Sequence, residues 1–144
     1  MAKRKRLISR VETKTRFSEV DSMGIVWHGN YCKYLEDGRE SFGEKYQLGY
    51  YDVLKHGFMP PIVKLDIDYK QMIKYGESII IETEYIISKA AKIIFKYKIF
   101  NAATNSVALT AKSTQIFINE QGELQLTNPD FYIEWQKKMG FDLI

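Results

Sequence analysis

Four stretches of this chain alternate apolar and polar residues with a period of two, and one stretch ahead of them repeats every three to four. In residues 61–72, Val63, Leu65, Ile67 and Tyr69 alternate with Lys64, Asp66, Asp68 and Lys70. In 77–88, Ile79, Ile81, Thr83, Tyr85 and Ile87 oppose Glu82 and Glu84. In 91–100, Ile93, Phe95, Tyr97 and Ile99 oppose Lys92, Lys96 and Lys98, and in 107–118 Val107, Leu109, Ala111 and Phe117 share one face. A fifth alternation runs from Leu7 to Phe17. Period two means strands with one dry and one wet face. The short connections at 75–76, 88–91 and 101–106 predict hairpins and an antiparallel sheet. Glu82 and Glu84 are expected opposite Lys96 and Lys98 on the wet face.

The helical stretch carries Tyr31, Tyr34, Leu35, Gly38, Phe42 and Tyr46 at three- and four-residue spacings, with Asn30 as its expected N-cap. Gly38 and Gly43 each weaken such a helix by roughly 1 kcal/mol relative to alanine, which implies a bend or the close approach of another backbone. A second short helix is expected over 51–56, stopped by Gly57 and Pro60-Pro61, and a last one over 128–139 behind Pro129. One strand, one long helix and four further strands cannot form repeated βαβ units. The fold class is α+β, an antiparallel sheet with a helix packed on one face. Such a sheet leaves an edge to protect, and pairing of two copies predicts a homodimer at least.

With 144 residues, the chain suits a single domain over 1–144. Cys32 is the only cysteine, and His28 and His56 are the only histidines, so no intramolecular disulfide, multi-cysteine zinc site or other metal site is expected. The formal net charge is +3, and Lys3, Arg4, Lys5 and Arg6 supply four positive charges, so the rest carries −1. The basic balance reports a solvated, flexible tail over 1–6, not a nucleic-acid-binding face. That tail has no apolar run behind it, and no run is long enough to cross a membrane, which leads to the expectation of a cytoplasmic protein.

The chemistry-bearing segment is residues 17–31, Phe-Ser-Glu-Val-Asp-Ser-Met-Gly-Ile-Val-Trp-His-Gly-Asn-Tyr. On its own, Asp21-Ser22-Met23-Gly24 is a turn, with Asp and Gly at the positions a turn favours. A second reading is chemical. A carboxylate is favoured near a helix N-terminus, and the free N–H groups there can bind a developing oxyanion. A base or nucleophile beside an oxyanion site is half of an acyl-transfer apparatus.

The segment resembles the signature of the 4-hydroxybenzoyl-CoA thioesterase family of hotdog-fold proteins and its YbgC-type acyl-CoA thioesterase branch. Asp21, Gly24, Ile25, Val26, Trp27, His28, Asn30 and Tyr31 carry the resemblance, with Tyr34, Glu36 and Arg39 following on the helix. The element order extends it to about residue 118. The resemblance implies a hotdog fold, an antiparallel sheet wrapped around one long central helix. It implies hydrolysis of an acyl-CoA thioester to a carboxylic acid and free CoA. Asp21 matches the catalytic aspartate, which attacks the thioester carbonyl or activates water to do so. The backbone N–H of His28 would polarise the thioester oxygen, and its imidazole either orients substrate or is satisfied locally. Gly24, Ile25, Val26, Trp27, Asn30 and Tyr31 would line the substrate site. Asn30 could serve instead as the helix cap, and Tyr31 as core.

Lys89 and Lys92 occupy the turn whose counterpart helps hold the nucleotide of CoA, often from a neighbouring subunit; a solvated turn is the alternative. Relatives often place Arg or Gly there. No cofactor is implied beyond CoA as part of the substrate. The active site is expected at the interface of a homodimer or homotetramer. Glu36 and Glu40 share a helix face, and a second hotdog branch uses a helix glutamate, but the motif surrounds Asp21. Glu36 and Arg39 can pair with each other. Three competing readings are an acyl-carrier-protein thioesterase docked through Lys3–Arg6 or Lys92–Lys98, a non-catalytic acyl-CoA binder, and a dehydratase, whose arrangement Asp21–Gly24 does not match.

Overall fold

The computed structural model describes residues 5–141. Five strands form one antiparallel sheet: β1 (Ile8–Lys14), β3 (Ile62–Tyr69), β4 (Ser78–Ile86), β5 (Lys92–Asn101) and β6 (Val107–Ile116). Their spatial order is β1-β4-β5-β6-β3. The long helix α1 (Tyr31–Tyr46) lies across one face, followed by the short α2 (Tyr50–Leu54). Two-residue strands β2 (Phe58–Met59) and β7 (Ile118–Asn119) pair with each other, and α3 (Asp130–Lys138) ends the described chain. This is the helix-on-sheet arrangement the resemblance implies.

Alternation decides the dry face. Ile79, Ile81, Thr83 and Tyr85 of β4 and Ile93, Phe95, Tyr97 and Ile99 of β5 are all buried. They meet Tyr34, Leu35 and Phe42 of α1 in one apolar core. The wet face carries the expected cross-strand charges, with Glu82 opposite Lys98 and Glu84 opposite Lys96. On the outer side Arg10 binds Glu82 at 2.7 Å and Arg6 binds Glu84 at 2.7 Å. Of the basic tail, residues 1–4 lie outside the described residues, whereas Arg6 is tied to the sheet by that contact.

The helical glycines do what their cost implied. A Cβ on Gly43 would stand 2.6 Å from the Cα of Gly49, and one on Gly38 would strike the Thr83 side chain. Both positions let α1 sit close, on the following loop in one case and on the sheet in the other.

Three expectations are corrected. The first strand ends at Lys14, and Phe17 stands in a 3-10 turn, 77% exposed, with its ring edge on Tyr75. Residues 75–76 are not a hairpin, because β3 pairs with β6 and not with β4. The connection 70–77 crosses from one edge of the sheet towards the other, held down by fully buried Ile73. Asn30 does not cap α1 with its side chain, because a 3-10 turn over His28–Asn30 runs directly into the helix. Among the described residues no helix is long and apolar enough to cross a membrane. Nor do any three His, Cys, Asp or Glu of those residues gather to hold a metal.

Candidate active site

The motif folds into a tight loop anchored at both flanks. Val20 bridges Val26, the Asp21 N–H donates to Ile25 O at 2.8 Å, and the Gly24 N–H donates to Asp21 O at 3.0 Å. Gly24 takes φ +73°, the left-handed position that closes a three-residue hairpin loop after a type I turn. The loop leans on the crossover. The Val26 N–H donates to Ile73 O, the Tyr75 N–H donates to Gly24 O, and Ile25 bridges Lys74.

Within the turn, Asp21 is partly exposed, and its Oδ1 accepts the Met23 N–H at 2.8 Å. Among the described residues no donor reaches Oδ2. One oxygen is therefore fixed and the other is free for chemistry. The turn reading and the catalytic reading of Asp21 are compatible, because they use different oxygens.

The stretch after the turn presents backbone donors. The Trp27 N–H donates to Glu19 O at 3.0 Å and the Asn30 N–H to Trp27 O at 2.9 Å. Between them, the N–H groups of His28 and Gly29 meet no acceptor among the described residues. They stand at the start of the helical run, where unfilled donors and the helix dipole favour an anion. The Trp27 ring lies where a Cβ of Gly29 would be, so a side chain at this position would have to push that half-exposed ring aside. The His28 side chain is exposed and rests against the Trp27 ring, with centroids 4.9 Å apart.

Glu19 and Tyr69 brace this loop, and sequence reasoning passed over both. Glu19 Oε1 accepts the Arg16 N–H and the Tyr34 hydroxyl, both at 2.8 Å, and Glu19 O also accepts the Asn30 side-chain amide. Burial and the Glu19 carboxylate push the Tyr34 phenol well above its ordinary value. The three-residue step from Arg16 to Glu19 has the spacing of a capping glutamate, the one signal that marks it. Tyr69 donates its hydroxyl to His28 O at 3.1 Å and stacks edge-on with buried Tyr31, 5.3 Å between centroids. Only its place on the dry face of a strand marks Tyr69 in the sequence.

A cavity of about 1000 Å³ lies elsewhere, between α1, α2 and the start of β3. Leu48, Val53, Ile93, Phe95 and Gln115 line its inner wall, with Ile62 and Ile118 nearer the mouth. Neither Asp21 nor His28 lines it. Glu36 and Arg39 line it without pairing: no ion pair joins them among the described residues. Lys89 and Lys92 are exposed at this same end of the sheet, since Lys92 faces Ile116 and Gln115 of β6 faces Ile62. The motif sits at the other end, beside Tyr69. Seven residue steps of β3 separate the two ends, roughly 24 Å at about 3.4 Å per step. A single copy thus holds a reactive loop and a cavity that do not adjoin.

Residues 15–136 match the family model described as the thioesterase-like superfamily. YneP of Bacillus subtilis (strain 168), provisionally named an acyl-CoA thioesterase, is 29% identical over 134 residues, which cover 90% of this chain and 96% of that protein. A solved DHNA-CoA thioesterase from Staphylococcus aureus superposes with a TM-score of 0.76 at 27% identity, over 94% of this chain and 97% of that one. A solved variant of 4-hydroxybenzoyl-CoA thioesterase, bound to 4-hydroxybenzoyl-CoA, superposes at 0.77 over 90% of this chain and 98% of that one. Its identity of 20% makes that likeness one of fold.

Proposed function

The chain belongs to the thioesterase-like superfamily, and from that premise we propose that it hydrolyses acyl-CoA thioesters with Asp21 as the catalytic carboxylate. One observation carries the reading. Asp21 has one anchored and one free oxygen, on the same braced loop as two unfilled backbone donors, at His28 and Gly29. In the reaction, the thioester oxygen sits on those N–H groups, which stabilise the charge developing on it. The free Asp21 oxygen then attacks the carbonyl carbon, or takes a proton from the water that does. If Asp21 attacks, CoA leaves as the thiolate from an acyl–Asp21 anhydride, which water then hydrolyses to the carboxylic acid and the regenerated Asp21 carboxylate. If water attacks, the tetrahedral intermediate expels the CoA thiolate, the proton held by Asp21 passes to it, and the acyl group leaves directly as the acid. Both routes need the ionised carboxylate.

The working unit is a homodimer joined along β3. Among the described residues the outer edge of β3 is unpaired, and Leu65 and Tyr69, which oppose buried Ser113 and Leu109 of β6, are themselves 37% and 52% exposed. An exposed apolar edge strand is a template for pairing. A twofold axis near Leu65–Asp66 would set β3 antiparallel to its copy, the arrangement a closed, self-complementary interface requires. It would also place the Tyr69 end of one copy beside the Ile62 end of the other. Each motif would then meet the partner's cavity, together with Lys89 and Lys92 of the partner subunit, which would be at hand for the phosphates of CoA. Free, partly buried Cys32 suits a reducing compartment such as the cytoplasm.

The test is CoA release from acyl-CoA esters by the wild type and Asp21→Asn. Asparagine keeps the oxygen that accepts the Met23 N–H, so the turn survives and only the charge is lost. Loss of a positioned base typically costs about 10²–10⁴ in rate, and a kcat lower by that factor is expected. Undiminished turnover in Asp21→Asn refutes the assignment. Turnover confined to acyl groups on carrier protein would replace the substrate and keep the residue.

A further inference from the structure

The cavity has an inner wall and a rim of opposite character. Leu48, Val53, Ile93 and Phe95 on the wall are all buried. The one polar side chain among them, Gln115, is uncharged, and its NH₂ group already donates to Pro60 O at 2.7 Å. The rim carries Glu36, Glu40 and Glu44 at successive four-residue steps of α1, all exposed, joined by Asp52 of α2. Like charges at this spacing weaken a helix, and among the described residues none of the three carboxylates joins an ion pair to offset that. Among the described residues Arg39 is the only cation lining the cavity, against four carboxylates.

We propose that this cavity selects the acyl group, taking a long uncharged hydrocarbon chain on its apolar wall and rejecting chains that end in a second carboxylate. The inference rests on the thioesterase reading and on the pairing along β3 that brings loop and cavity together, and adds the substrate class. A volume of about 1000 Å³ is at the upper end for small-molecule pockets, so a short acyl group leaves most of the wall wet. Each further methylene laid on the wall is removed from water, which corresponds to about fourfold in kcat/KM while room remains. A terminal carboxylate would lose its hydration on the same wall and pass a rim of like charge.

The experiment compares kcat/KM for butanoyl-, octanoyl- and dodecanoyl-CoA with octanedioyl-CoA, whose chain ends in a carboxylate. Each increment of four methylenes is expected to raise kcat/KM by at least about tenfold, within the limit of fourfold per methylene. Octanedioyl-CoA is expected at least about tenfold below octanoyl-CoA. Ile118→Trp, a partly exposed position that can fill the cavity without displacing the core, should lower the dodecanoyl-to-butanoyl ratio at least about tenfold. The exposed double substitution Glu40→Gln with Glu44→Gln should raise the octanedioyl-to-octanoyl ratio about threefold or more.

A flat or falling chain-length profile, or equal rates for octanoyl and octanedioyl esters, overturns this inference and leaves the thioesterase reading standing. Absence of hydrolysis on every ester defeats the thioesterase reading instead. Calorimetry with dodecanoyl-CoA against CoA alone then decides about the cavity. Binding at least about tenfold tighter for the ester, reduced by Ile118→Trp, supports it, and equal binding overturns it.

Discussion

Two inactive variants of this protein should restore each other when mixed. Roughly 24 Å along β3 separate the Asp21 loop from the start of that strand, where the cavity opens. If β3 pairs with its copy about a twofold axis, every active site takes its loop from one chain and its cavity from the other. Asp21→Asn breaks loops only, at a cost of about 10²–10⁴ in rate. Ile118→Trp obstructs cavities only. If the indole excludes four methylenes of a dodecanoyl chain, the loss is about 3 kcal/mol, or roughly 200-fold. Each variant alone is therefore nearly silent on dodecanoyl-CoA. Denatured together in equal amounts and refolded, half of the dimers combine unlike chains. In such a dimer one site collects both defects and the other collects none, so the mixture should show about a quarter of the wild-type rate. The assay is CoA release at fixed total protein, with dimer content checked by light scattering. Pairing of such dimers into tetramers does not alter the fraction. A mixture no more active than the mean of its parents refutes the shared site, and places loop and cavity within one chain or joins the copies along another edge.

Two further outcomes test the scaffold. Gly43→Ala should destabilise the protein by about 1–2 kcal/mol in denaturant unfolding, because overpacking against the Gly49 backbone exceeds the roughly 1 kcal/mol that alanine adds to a helix; a stabilised variant would mean that the contact yields freely. The Arg6 guanidinium holds the Glu84 carboxyl below its ordinary value of 4.5, so the pair stabilises the fold above that pH, and the contribution is lost as pH falls through the lower folded value. Thermal midpoints of the wild type and Glu84→Gln should accordingly differ near neutrality and converge in acid, and a constant difference would assign the effect to something other than ionisation.

Which parts of this were legible follows from the range of the interactions concerned. Alternation in Ile79–Ile87 and Ile93–Ile99 named the dry face of the sheet, because one period governs side-chain direction within a strand. The opposed pairs Glu82–Lys98 and Glu84–Lys96 followed from a hairpin, whose register is set locally. The same reasoning misplaced β3. Its short link to β4 looks like a turn, but the pleat cannot state which neighbour a strand takes, and β3 pairs with β6 at the far edge. Asp21 and Gly24 were legible as a turn and His28 as the start of a helical run, because these are short-range devices; what marks Asp21 and His28 as candidates for catalysis is the resemblance of the segment to a family signature. The cavity was not, since Leu48, Phe95 and Gln115 come from a loop and two different strands and meet only through packing. That edge position of β3 is also what the proposed pairing of two copies requires. As an inner strand next to β4, β3 would have both edges filled, and its Tyr69 and Ile62 ends would face the interior of one chain. At the edge, the same eight residues offer an open ladder to a second copy, with the His28 loop at one end and the cavity mouth at the other.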